Sequence, residues 1–111
     1  MSRLIVVATI LIGVAGHAAA ADAGRGARLF TRDGCGACHA LRALGAHGLV
    51  GPPLDNMGAR TVIAGLLPNN PENMERWLRE PQSIVPGDAM PNVGLSQRDA
   101  ADIAAYLEEL K

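Results

Sequence analysis

Five consecutive residues, Cys35-Gly36-Ala37-Cys38-His39, constrain this chain more than any other feature in it. Cysteines at i and i+3 lie on the same side of one helical turn. Two thiols so placed can reach neighbouring edges of one flat macrocycle and bond to it. His39 is rotated about 100° further round the helix, so its imidazole points at the centre of the ring instead of its edge. Two covalent pins and one axial ligand from a single turn is the arrangement that attaches haem through thioethers. Among short cysteine patterns it is one of the more specific.

Three other readings compete for the same residues. A thioredoxin-like redox pair needs a βαβ setting, and no strand pattern surrounds Cys35 and Cys38. A zinc site needs four ligands, yet the chain has no further cysteine, and His47 is the one other histidine beyond the N-terminal segment. A disulfide closing so small a loop constrains little of the unfolded chain. Haem is the reading the residues favour.

Haem iron bound by His39 needs a second axial ligand for a closed site, and methionine sulfur suits it. Met90 lies in Pro86-Gly87-Asp88-Ala89-Met90-Pro91, where flanking prolines fix the backbone and the thioether can project inward. It is the favoured candidate. Met57, in a loop after Asp55-Asn56, stays open as an alternative, and Met74 reads as a core residue on a helix face.

The N-terminal stretch reads as a separate segment. Met1-Ser2-Arg3 gives a short positive start, residues 4–14 are an apolar run, and Ala18-Ala19-Ala20-Ala21 offers small-residue cleavage sites. That is the anatomy of a secretory signal peptide, expected over residues 1–21, with an uncleaved membrane anchor as the alternative. A domain over residues 22–111 remains. A chain of that size buries only about 60% of its unfolded surface, and aromatic residues make up just 3% of the sequence. A large apolar cofactor would fill such a core. Without Arg3, nine basic side chains face eleven acidic ones. No basic stripe points to nucleic acid.

The domain reads as all-α. Residues 22–31 form a helix capped by Asp22, with Ala23, Ala27 and Phe30 on one face. The Cys35–His39 stretch is a tight turn, and residues 45–70 are rich in Gly, Pro and Asn, with a short helix expected over 60–66. A second helix opens with Asn70 as cap, Pro71 at its first position and Glu72 in its first turn. It carries Met74, Trp77 and Leu78 on one face, and Pro81 ends it. Ser96-Gln97-Arg98-Asp99 resembles a capping box and opens a last helix that buries Ile103, Tyr106, Leu107 and Leu110. Long loops in so small a domain count against an assignment unless they wrap a ligand.

In order along the chain, Gly26, Phe30, Cys35-Gly36-Ala37-Cys38-His39, Gly51-Pro52-Pro53-Leu54, Arg60, Met90-Pro91 and Ile103-Ala104-Ala105-Tyr106-Leu107 resemble the landmarks of the class I c-type cytochromes. Leu67-Pro68-Asn69-Asn70-Pro71-Glu72-Asn73 and Leu78-Arg79-Glu80-Pro81-Gln82 are similar to the cytochrome c domain fused to subunit II of caa3-type oxidases. The resemblance implies the cytochrome c fold: three to four short helices and long loops around one covalent haem c. It implies that Gly26 and Phe30 cross the last helix near Tyr106. It implies that the Pro52 carbonyl accepts the hydrogen bond from the second ring nitrogen of His39, and that Arg60 lies near a haem propionate. Trp77 would do likewise, with core packing as its other reading. The copper-binding, membrane-anchored part of those oxidases has no counterpart in these residues. Nor does the lysine-rich docking face of mitochondrial-type cytochromes, since Lys111 is the only lysine.

The function expected is one-electron transfer in the periplasm, not catalysis. The donor would be a quinol-oxidising complex or a dehydrogenase, and the acceptor a terminal oxidase. The alternative is a haem c subunit held in a dehydrogenase or other oxidoreductase complex. The protein is expected to be a monomer that meets the membrane only through partners or an uncleaved signal.

Overall fold

The structure, a computed structural model, describes residues 5, 7–13 and 20–111. The signal segment expected over 1–21 lies for most of its length outside the described residues. Among the described residues, no helix is long and apolar enough to cross a membrane.

Three longer helices begin where the sequence supplies a cap. Helix α1 (Ala23–Arg32) follows Asp22, whose carboxylate accepts the Arg25 backbone N–H at 2.9 Å. Helix α2 (Pro71–Arg79) follows Asn70, which accepts the Asn73 N–H at 2.8 Å, with Pro71 opening the first turn and Glu72 within it. A single turn, α3 (Pro81–Ile84), comes next, so Pro81 both stops α2 and starts α3. Helix α4 (Gln97–Glu108) follows Ser96, whose hydroxyl accepts the Asp99 N–H at 3.0 Å. Each such cap contributes on the order of 1 kcal/mol.

The segment 60–66 is not the short helix that its sequence suggests. It forms a hairpin of β3 (Val62–Ile63) against β4 (Leu67–Pro68). Ala64 and Gly65 both take left-handed backbone, at φ 53 and 68, and the Leu66 N–H closes the turn on the Ile63 carbonyl at 2.9 Å. Two successive left-handed residues make a hairpin turn, and the β-branched run Thr61-Val62-Ile63 favours extended backbone. A second hairpin pairs β1 (Ala40–Leu41) with β2 (Ala46–His47). Strands two residues long leave no alternation to read.

Helix α4 is the spine of the domain, with α1 and α2 packed on it. Phe30, Leu41 and Ile103 are fully buried in a core shared with Leu29, Met74, Trp77, Leu78 and Leu107. Of the expected buried face of α4, Ile103 and Leu107 are buried, whereas Tyr106 and Leu110 pack at its edge. The α1–α4 crossing is closest at Gly26, where an added Cβ would sit 1.9 Å from the Asp102 carbonyl oxygen. The tightest contact therefore falls one turn before Tyr106.

Charge completes the same crossing. Asp102 is 2% exposed, and its carboxylate accepts the Asp22 backbone N–H at 2.8 Å and Arg25 Nη1 at 2.7 Å. Arg25 also reaches Asp99 at 2.6 Å, and Arg32 binds Asp99 at 3.2 Å. The Asp99 side chain thus serves the ion pairs and does not return to Ser96. The Asp22 N–H, aided by Arg25 and opposed by burial, holds Asp102 below the ordinary carboxylate range. Arg25 does the same for Asp99. Because the folded pKa lies below the unfolded value of about 3.9, this stabilisation is full above that value and fades as pH falls through the folded pKa. Asp102→Asn is therefore expected to cost about 2 kcal/mol at neutral pH. Urea unfolding should show that gap narrowing as pH falls below about 3.9, and a constant gap would contradict the assignment.

Candidate functional site

Residues of α1, β3, α2 and α4, with the turns and loops between them, converge on one cavity of about 390 Å³. Cys35, Cys38, His39, Pro52, Arg60, Trp77 and Met90, all singled out from the sequence, line it together. Its size lies within the range of ordinary ligand pockets. The walls are chiefly apolar, with Leu54, Leu78, Ile103 and Leu107 among them.

The cysteines stand at the end of α1, where Asp33 caps the helix and Gly34 turns the chain in left-handed backbone, φ 75. Cys35–Ala37 then makes a turn of 3-10 helix, and the Cys38 and His39 N–H groups both return to the Cys35 carbonyl, at 3.2 and 3.0 Å. Both thiols are free and partly buried. Burial, reinforced by the Asp33 carboxylate, pushes the Cys35 thiol up from its ordinary range. A thiol held protonated is a poor nucleophile, which counts against a thioredoxin-like role. Among the described residues no three His, Cys, Asp or Glu side chains gather as metal ligands. His47 lies with Gly36 and Ala37 around a separate, smaller cavity.

The segment 51–54 is fastened to the Cys–His turn by two backbone hydrogen bonds, Gly51 N–H to the Cys38 carbonyl at 2.8 Å and Leu54 N–H to the Ala40 carbonyl at 2.9 Å. This brings the Pro52 carbonyl 2.8 Å from His39 Nδ1. A carbonyl can only accept, so Nδ1 carries the proton and Nε2 keeps a lone pair for a metal. Gly51 is required at this point: a Cβ there would fall 2.3 Å from His39 Cε1. The string Gly51-Pro52-Pro53-Leu54 is visible in the sequence, but the need for clearance against the ring is not.

Arg60 is held at the wall by Asn56, whose side-chain oxygen accepts from its Nε at 3.1 Å and its Nη2 at 2.9 Å, and by the Pro53 carbonyl. Trp77 is 9% exposed and belongs to the core cluster while also lining the cavity. Three methionines reach the cavity, Met57, Met74 and Met90. Met57 and Met74 are buried wall residues at 5% and 2% exposure, and Met57 Sδ already faces Arg60 Nη1 at 3.9 Å. Met90 is half-buried on the irregular segment 86–95.

The donor set fits a haem. Two thiols in the lining, an imidazole with its Nε2 lone pair free, a thioether on a loop, apolar walls and a guanidinium at the wall match the five chemical demands of a covalently held, charged macrocycle.

The family profile described as Cytochrome c matches residues 23–111. Similar proteins include cytochrome c oxidase subunit 2 of Alkalihalophilus pseudofirmus, 42% identical over 90 residues, which cover 80% of this chain and 26% of the relative. The same subunit of Bacillus subtilis is 36% identical over 94 residues, 78% of this chain and 26% of the relative. This chain thus spans about a quarter of the length of those relatives. Among solved structures, cytochrome cH from Methylobacterium extorquens superposes with a TM-score of 0.57 at 28% identity, covering 78% of this chain and 96% of that one.

Proposed function

This chain belongs to the cytochrome c family, and from that premise we propose that it binds one haem c through Cys35 and Cys38 and passes single electrons between redox proteins. The family implies covalent haem, and its members transfer electrons and are not catalysts by themselves. The observation that carries the assignment is the His39–Pro52 hydrogen bond. It leaves the His39 Nε2 lone pair free beside the cavity that Met90 also lines.

Bound there, haem supplies a one-electron couple at its iron. The chain's own residues set the rest. His39 is oriented and made more basic by the Pro52 carbonyl. Met90 would offer its thioether to the iron, which would favour the reduced state and leave no position for oxygen or peroxide. Arg60 would pair with a propionate and so relieve the cost of a partly buried charge. The apolar wall excludes water and limits rearrangement when the charge changes.

The protein would work in the periplasm after loss of residues 1–21. A quinol-oxidising complex or a dehydrogenase would donate its electrons, and a terminal oxidase would accept them through a small, transient interface. Similarity to oxidase subunit 2 supports the oxidase as acceptor. It equally supports a second reading, a haem subunit fixed to an oxidoreductase, in which case one stoichiometric partner co-purifies.

Met90→Ala tests the ligand assignment. The far-red band that reports thioether on ferric haem should vanish, and the reduction potential should fall by about 0.2 V, a fraction of the span that axial ligands control. A variant that keeps both would overturn Met90 as ligand.

A further inference from the structure

The segment that carries Met90 has no helix or strand of its own, yet it must hold a thioether at a fixed place. One side chain outside the cavity supplies most of its restraint. Gln82, in α3, donates from Nε2 to the Asp88 carbonyl at 2.6 Å and to the Met90 carbonyl at 2.8 Å. Its Oε1 accepts the Gly87 N–H at 3.0 Å, and its own backbone N–H donates to Asn92 Oδ1 at 3.2 Å. Both ends of the amide are thus spent on three backbone groups between Gly87 and Met90, and Asn92 closes the ring from beyond. Within the loop, only Asp88 N–H to the Val85 carbonyl at 3.1 Å and Met90 N–H to Asp88 Oδ1 at 2.9 Å add to this.

The scaffold behind Gln82 is rigid. Pro81, fully buried, anchors α3 in the core, and the Val85 N–H closes the turn on its carbonyl at 2.8 Å. Gln82 therefore ties irregular backbone to a turn anchored in the core.

We infer that Gln82 is a positioning residue for the axial thioether: its amide holds the Gly87–Met90 backbone so that Met90 stays on the iron. The inference rests on the reading of Met90 as ligand. A carbonyl-binding donor pair is what the geometry demands, so a carboxylate cannot substitute. Gln82→Glu keeps the acceptor for Gly87 N–H but turns negative charge on two carbonyl oxygens. Gln82→Leu removes all three contacts at similar volume.

The test is imidazole binding to the ferric holoprotein, followed through the far-red thioether band, in the wild type, Gln82→Leu, Gln82→Glu and the nearby exposed Ser83→Ala. Imidazole competes with Met90, so its affinity reports how often the thioether leaves. Three hydrogen bonds lost in Gln82→Leu, or two lost and made repulsive in Gln82→Glu, each worth a factor of a few in an equilibrium, should raise that affinity by about tenfold to a hundredfold. Both Gln82 variants should show this, with the far-ultraviolet helix signal retained and Ser83→Ala unchanged. Equal affinity in wild type and both Gln82 variants would overturn the inference. So would a rise matched by Ser83→Ala. If Gln82→Leu gives no folded holoprotein, Gln82→Glu carries the same comparison. A wild type without the far-red band would instead sink the Met90 assignment, which keeps the two failures apart.

Discussion

Chains carrying Cys35→Ala and Cys38→Ala together should accumulate without covalent haem and fail to fold stably, with no cooperative thermal transition. The magnitude follows from the cavity. An apolar cleft of about 390 Å³ that nothing fills leaves several large side chains facing water, each worth about 1.5–3 kcal/mol when buried. Whole domains are stable by about 5–15 kcal/mol, so the deficit is of the same size as the total. Closing the cleft by repacking would require α1 and α2 to shift on α4. Circular dichroism on heating would check this. A double variant with native helix content and a sharp transition would show that the loops fold without a filler.

Gly26→Val should be nearly as damaging, for a different reason. The added Cβ meets backbone on the facing helix, 1.9 Å from the Asp102 oxygen and 2.9 Å from the Ile103 nitrogen. Neither atom can move without shifting α4. Prising α1 away would also stretch the Arg25–Asp102 and Asp22–Asp102 contacts, so packing and charge are lost together. We expect a loss of about 3 kcal/mol or more relative to wild type, at the upper end of overpacking effects. Chemical denaturation of the holoprotein measures it. Gly24→Ala, where a Cβ meets nothing closer than 3.4 Å, is the matched control on the same helix and should be nearly neutral.

The contrast between these two glycines also shows what was readable in advance. Local signals were: Asp22, Asn70 and Ser96 each cap the helix that follows. Their effect is exhausted within three residues, which a sequence displays directly. The Cys35–His39 spacing was readable for the same reason, and so was the irregular loop around Met90. The hairpin over 62–68 was not, because its turn puts Ala64, an ordinary helix former, in left-handed backbone.

Long-range partners were hidden as well. Asp102 meets Asp22 across 80 positions of chain, and in isolation it reads as a solvated charge on the last helix. Gln82 was visible only as part of the string Leu78-Arg79-Glu80-Pro81-Gln82. Its function depends on the loop folding back so that the Asp88 and Met90 carbonyls face it. Three methionines reach one cavity; the flanking prolines favour Met90 in the sequence, but the burial of Met57 and Met74 in the wall does not show there.

Denaturing mass spectrometry of protein produced in cells competent in cytochrome maturation addresses the central claim most directly. One haem should travel with the polypeptide after unfolding, on the peptide containing Cys35 and Cys38, because thioether bonds survive when axial ligands do not. Polypeptide recovered at its unmodified mass, with the pigment washed away or never present, would contradict it.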